Sequence, residues 1–242
     1  MSLPVFISDS AAGPGETIEL AGPEGRHAVT VKRIQVGEKI SLIDGRGTAR
    51  TCTVTALQGK DRLNAVVDLV EEIPAPNPQV TIVQAIPKSE RSELTIDLLT
   101  QAGADRIVAW QASRCVAKWG GKEAKSLAKK GQVAAEAAAK QSRRATIPEI
   151  LGVVGEEGVE KLIDESDLAI ILHEEATAAI RELEFSGNVV VIIGPEGGVA
   201  PSEISRFVDA GAHTVKLGPE VLRTASAGMV ALAAIGVLSD RW

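Results

Sequence analysis

From residue 79 onward the sequence alternates short, predominantly apolar runs, VTIVQAI, RIVAW, DLAIILH and NVVVIIG, with stretches that read as helices. A strand with one wet face alternates apolar and polar residues. A run with apolar residues at consecutive positions is buried on both faces, and that situation belongs to parallel sheets covered by helices on each side. The pattern therefore predicts an α/β domain over residues 80–242. Helices are expected at SERSELTIDLLTQAGA, with Leu94, Leu98 and Ala102 on one face and Gly103 as the residue that ends it. Others are expected over about 122–142, near 176–184, and from about Pro201 and Thr224 onward.

The sequence before this region has a different rhythm. Short β-prone runs, VFI, KISLID, ARTCTVTAL and NAVVDLV, are separated by glycine turns such as Asp44–Gly47, and one helix-like insertion, RHAVTVKRI, interrupts them. This reads as a small β-barrel or curled sheet over residues 1–73. The segment EEIPAPNPQ follows, with Pro74, Pro76 and Pro78, and prolines this dense suit neither a helix nor a central strand. Residues 74–79 are therefore expected to be a linker.

Charge is unevenly spread. The net charge is −6, yet Arg106 to Arg144 holds ten Lys/Arg against two acids, Glu123 and Glu136, making that stretch +8 and the remainder −14. Lys118, Lys122, Lys125 and Lys129 recur there at helical spacing, which predicts a local nucleic-acid footprint with a strong dependence on salt. Aromatic residues make up 2% of the chain and tyrosine is absent, which argues against a base-stacking platform. Cys52 and Cys115 stand far apart, and His27, His173 and His213 form no local cluster, so neither a disulfide framework nor a metal site is expected. There is no long apolar run, and the first residues do not read as a secretory signal, which makes a cytoplasmic location the expectation.

Three strand ends carry unusual loops: LHEEA from Leu172, IGPEGG from Ile193 and LGPEVLRTASAG from Leu217. Ligands of α/β sheets bind outside the carboxyl ends of strands. Gly197 and Gly198 are expected to supply positive φ and a close backbone approach. The second loop lacks the Lys-Ser/Thr of a phosphate-binding P-loop and the spacing of the dinucleotide fingerprint. Glu196 would also repel a phosphate, so a neutral or cationic ligand is favoured. Arg223 and Thr224 open a helix, where Arg223 can hold an anion.

IGPEGG after an apolar strand, followed some twenty residues later by LGPEVLRTASA, resembles the SPOUT class of S-adenosylmethionine-dependent RNA methyltransferases. More narrowly, the chain is similar to the RsmE family, which methylates N3 of one uridine in small-subunit ribosomal RNA. An N-terminal signature of that family is matched by His27, Val31, Arg33, Gly37 and Glu38; its lysine-led helix is matched by Lys88 to Gly103, and a further segment by Gln141, Ser142 and Arg144 ahead of Pro148. Arg26, Gln101, Glu220 and Ala225 depart from the family pattern. The resemblance implies a PUA-like β-barrel RNA-binding domain, a methyltransferase domain with a deep trefoil knot, a homodimer and a ribosomal RNA partner. The final helix, TASAGMVALAAIGVL, is apolar around nearly its whole circumference, as expected of a helix buried on two sides.

The resemblance also implies a cofactor site for S-adenosylmethionine, held largely by backbone groups. Its expected residues are Leu172, His173 and Glu174 from the first loop and Ile193, Gly194, Pro195, Glu196, Gly197 and Gly198 from the second. The third loop is expected to contribute Leu217, Gly218, Leu222, Thr224, Ala225 and Ser226. Arg223 and Arg33 are expected to position RNA or to stabilise the developing uridine anion, with His27 as a reserve base. Two other readings share these residues: a SPOUT enzyme acting on ribose 2′-O, and a non-catalytic RNA-binding ribosome assembly factor.

Overall fold

The computed structural model describes residues 3–86, 91–116, 118 and 121–242; Lys88, where the lysine-led helix was expected to start, lies outside them. The chain divides into two compact units.

The first unit comprises residues 1–75 together with 139–147. Its sheet has the order β1 (Val5–Ile7), β3 (Lys39–Ile43), β4 (Thr48–Gln58), β5 (Arg62–Glu72), β2 (Thr17–Leu20). All pairs are antiparallel except β1 with β3. Since β1 and β2 form the two edges, the hydrogen-bonded sheet is curled rather than closed, which settles the choice between barrel and curled sheet for the described residues. Two register shifts between β4 and β5 supply the bend. Phe6, Leu20, Ile40, Leu42, Cys52, Leu63 and Val67 fill its core. The helix-like insertion is two pieces, α1 (Gly22–Arg26) and a π-helical segment His27–Lys32 that ends on Arg33 at φ 58°. Gly25 lets α1 close down, because a Cβ there would lie 2.2 Å from the Asp61 carbonyl oxygen.

The assignment of residues 139–147 to this unit departs from the expected contiguous domain over 80–242. The reason lies in specific bonds: Lys140 Nζ pairs with Glu24 at 2.5 Å, and the Ile147 amide donates to the Gly45 carbonyl at 2.9 Å.

The second unit is the α/β body. Its six strands lie in the order β11 (His213–Val215), β9 (Leu168–Leu172), β10 (Asn188–Ile193), β6 (Gln79–Ala85), β7 (Arg106–Trp110), β8 (Glu149–Val154), every pair parallel. One face packs on α4 (Glu156–Asp164) and α5 (Pro201–Asp209) through Val83, Ile171, Ile192, Val159, Ile163 and Phe207. Trp110 meets Phe207 edge to face at 5.3 Å. The other face packs on α2 (Ser92–Gln101), α3 (Lys122–Ser142) and α6 (Thr224–Leu238). Gly103 ends α2 as expected: at φ 100°, its amide bonds the Thr100 carbonyl and the Ala104 amide bonds that of Leu99, the paired closure of a Schellman turn.

Several expectations are corrected. The strand β8 and helix α4 were not anticipated, and neither was β2. The helix near 176–184 is a single 3₁₀ turn, Ile180–Glu182. On α2 the buried stripe is Thr95, Ile96, Leu99 and Thr100, while Leu94 is 50% exposed. Lys118 precedes α3 rather than lying on it.

Two outcomes follow from this packing. Gly228 of α6 sits where a Cβ would come within 2.5 Å of Leu99 Cδ2 and 2.8 Å of Ile193 Cδ1, both in fully packed side chains. Gly228→Ala should lower the unfolding free energy by about 1–2 kcal/mol in chemical denaturation, overpacking outweighing the gain of about 1 kcal/mol in helix propensity. On the opposite face, Arg206 of α5 pairs with Glu160 and Glu156 of α4 at 2.6 and 2.7 Å, and its hydrogen bond holds the Glu160 carboxyl below its ordinary value. A carboxyl so lowered stabilises the fold above its unfolded pKa, and the contribution is lost as pH falls through the folded one. Arg206→Ala should therefore lower Tm at pH 7, with the difference from wild type shrinking as pH falls below the ordinary carboxylate value of about 4.3 and through the lowered folded one.

Candidate functional site

Because β11, β9 and β10 are direct neighbours and parallel, the loops at their carboxyl ends open side by side. They line one cleft of about 920 Å³ within the second unit. The first loop contributes Leu172, His173 and Glu174, and the second contributes Ile193 through Gly198. Leu217, Gly218, Leu222, Arg223 and Thr224 come from the third. Ala225 and Ser226 are outside the lining: Ala225 is buried in α6, and the Ser226 hydroxyl donates to the Arg223 carbonyl at 3.2 Å. His27 and Arg33 belong to the first unit. There the His27 ring packs edge-on against Phe6 at 5.8 Å, and Arg33 is exposed in a left-handed conformation that costs a non-glycine residue roughly 1–3 kcal/mol and tends to mark functional positions.

The glycines of the second loop serve different ends. The Gly198 amide closes a tight turn on the Pro195 carbonyl at 2.9 Å with φ 72°, where only glycine is unstrained. Gly194 is needed for space, since a Cβ would lie 2.7 Å from Val199 Cγ2. Gly197 does not have positive φ, contrary to expectation; a Cβ there would make ordinary contact with Arg114.

A buried carboxylate fixes this loop. Glu203 is 1% exposed; its Oε2 accepts from the Ala200 amide at 2.9 Å and its Oε1 from the Ser113 amide at 2.7 Å. The first bond caps α5, and the second ties the α5 start to the loop after β7. On that loop Arg114 Nη1 donates to the Gly197 carbonyl at 3.0 Å. Arg114 and Glu203 were not singled out from sequence. An acid three residues past Ala200, with Pro201 opening the helix, is the capping signal that marks Glu203.

Acids and bases balance in the cleft: Arg91, Arg114, Lys216 and Arg223 face Glu174, Glu175, Glu196 and Glu220. A polyphosphate would meet four carboxylates here, whereas a zwitterionic or cationic ligand finds partners of both signs. No thiol competes for a chemical role. Burial, followed by the charges of Glu196 and Glu203, pushes the Cys115 thiol up, and burial pushes Cys52 up to about 11, so both stay protonated. Among the described residues there is no cluster of metal-binding side chains, and no helix is long and apolar enough to cross a membrane.

Glu203→Ala removes the acceptor of two backbone amides. A loss of about 2–3 kcal/mol is expected in denaturant titration, the range for charge-assisted bonds whose partners stay buried.

The RNA methyltransferase domain family matches residues 74–236, and the RNA methyltransferase PUA domain matches residues 20–68. The chain is 44% identical over 244 residues to ribosomal RNA small subunit methyltransferase E of Mycobacterium bovis, covering 98% of this chain and 93% of that one. The Bacillus subtilis protein of the same name is 28% identical over 237 residues, covering 93% and 91%. The crystal structure of a Neisseria gonorrhoeae ribosomal RNA small subunit methyltransferase E bound to S-adenosyl methionine aligns with TM-score 0.87 at 26% identity over 98% of each chain. A Legionella pneumophila structure in complex with the same cofactor aligns with TM-score 0.86 at 26% identity, again over 98% of each. With an RNA methyltransferase match over most of its length and a 44% identical relative along nearly all of it, the chain belongs to the ribosomal RNA small subunit methyltransferase E family.

Proposed function

We propose that this protein transfers a methyl group from S-adenosylmethionine to N3 of one uridine in small-subunit ribosomal RNA. The observation that carries the reading is the convergence of three glycine- and proline-bearing loops on one cleft of balanced charge, in a chain whose 98%-covering structural relative is bound to S-adenosyl methionine. The cleft fits such a cofactor. It is open, its loops offer backbone amides and carbonyls, and its acids and bases can each meet a pole of a sulfonium amino acid.

When bound, S-adenosylmethionine supplies an electrophilic methyl. The chain's own residues do the rest. Backbone groups of Leu172–Glu174, Ile193–Gly198 and Leu217–Gly218, with Leu222 and Thr224, hold the cofactor, and Ala225 and Ser226 support them from the start of α6. Methyl transfer is an in-line displacement, so rigid placement of donor and nucleophile is the main task, and the Glu203 and Arg114 bonds keep the second loop in place for it. Uridine N3 carries a proton at neutral pH and must shed it to attack. The exposed guanidinium of Arg223 at the cleft stabilises the anion that develops. Arg33 positions the RNA, and His27 is the reserve acceptor for the proton.

The same reading gives residues 1–73 an RNA-binding role, residues 80–242 the transfer itself, and the second domain a deep trefoil knot. It also makes the enzyme a homodimer. On α6, Gly228 faces the sheet while Met229, Val230, Val237 and Leu238 are exposed at 40–73%, and a second copy would cover that apolar face. The same reading has the reaction take place in the cytoplasm.

Arg223→Ala should reduce kcat/KM for methylation of undermethylated small subunits by roughly 10²–10³-fold, leaving cofactor affinity by calorimetry within a few-fold of wild type. Turnover at the wild-type rate would remove Arg223 from the mechanism. Mass spectrometry of the product that finds the methyl on a ribose or on another base would refute the uridine-N3 assignment.

A further inference from the structure

Helix α3 presents a row of exposed lysines. Lys122, Lys125, Lys129 and Lys130 are exposed, and none has a carboxylate partner among the described residues. Elsewhere Lys39, Arg46, Arg106, Lys140, Lys161, Arg206 and Arg241 pair with acids. Lys140 is on this same helix. In a sequence with 32 acids against 26 Lys and Arg, an unpaired cluster is not a matter of supply.

The arrangement also works against the helix. Lys122 and Lys125 are three residues apart and Lys125 and Lys129 four, the spacings at which like charges repel. Lys122 and Lys125 lie in the first turn, at the positive end of the helix dipole, where cations are unfavourable. Tertiary packing holds the helix in place regardless. Gly131 lets it approach so closely that a Cβ would come within 2.9 Å of Ile96 Cδ1 and 3.2 Å of Ile150 Cγ2. Ala124, Leu127 and Ala128 turn toward the same side. The lysines thus stand on a fixed face, spread over about 12 Å from Lys122 to Lys130 at 1.5 Å per residue.

We propose that this face is a track for the RNA phosphate backbone, a contact separate from the cleft; the proposal rests on the reading of the protein as an RNA methyltransferase. The chemistry favours phosphate over other anionic partners. Lysines are point charges without the planar fork that reads a base edge or clamps a single carboxylate, so they suit a partner whose charge repeats along its length. A membrane surface would need the apolar side of the helix to be free, and that side is occupied. Contacts of this kind position the RNA and raise affinity without reading sequence.

The test is a salt titration of RNA binding by the full chain, using a small-subunit RNA fragment and an unrelated RNA duplex. The triple variant Lys122→Gln, Lys125→Gln, Lys129→Gln should bind both RNAs more weakly, by roughly 10–100-fold at moderate salt. Its slope of log affinity against log salt should be shallower by about 2–3, since each lost phosphate contact removes about 0.7–0.9. The arginine triple variant should restore both. Cofactor affinity and Tm report that the fold is intact and should be unchanged or, for Tm, slightly raised by relief of repulsion. A slope within 0.5 or so of wild type, with affinity within twofold, overturns the proposal. A wild-type protein that binds RNA but transfers no methyl counts against the functional reading alone, and the slope still decides the role of the lysines.

Discussion

The cleft depends on β10 being paired along both edges, with β6 on one side and β9 on the other. Every residue of β10 after Asn188 is buried, so the strand has neither a free edge nor a wet face. Its carboxyl end cannot shift, and Gly194 leaves the sheet at a fixed point. With β9 and β11 next in order, the three loops inherit that fixed origin. A cleft assembled from loops is ordinarily soft, but these loops start on a buried parallel sheet, and a few specific bonds carry the rigidity further.

The most consequential of those bonds belong to Glu203. Burying a carboxylate is expensive unless its lone pairs are used, and here both oxygens accept backbone amides from different parts of the chain. A neutral apolar residue at 203 would leave those amides without acceptors, and an unpaired glutamate would not stay buried. Each group therefore requires the others. Arg114 adds a second tie across the same two loops by bonding the Gly197 carbonyl. A Cβ at 197 would make only ordinary contact with Arg114, so neither backbone strain nor lack of space requires the glycine there.

What could be read from the sequence follows the strength of the burial signal. Strands β6, β7, β9 and β10 stand out because apolar residues dominate both of their faces, and the strand ends then locate the cleft loops. Strand β8 was missed for the converse reason: EILGVV lies at the sheet edge, is only half buried and is broken by Gly152. Helix α4 begins and ends in acids, and its buried side is only Val159 and Ile163. Leu94 departs from expectation because α2 buries the stripe next to it, through Thr95, Ile96, Leu99 and Thr100. Glu203 and Arg114 were hard to find because their roles come from partners 90 and 83 residues away. No local pattern encodes such a separation, although the acid at the start of α5 carried part of it.

The charge of the chain carries a similar lesson about scale. A net charge of −6 describes how the protein behaves at distances well beyond the Debye length of about 8 Å at physiological salt. A phosphate close to α3 experiences the nearest lysines far more than the acids elsewhere on the surface. Pairing of cations such as Lys140, Arg206 and Arg241 with acids strengthens this effect, since paired charges cancel over short distances. An acidic protein can in this way approach a polyanion in one orientation and resist it in others. The acids spread over the rest of the surface then help to orient the encounter, by making an approach over acidic surface less favourable than one along α3.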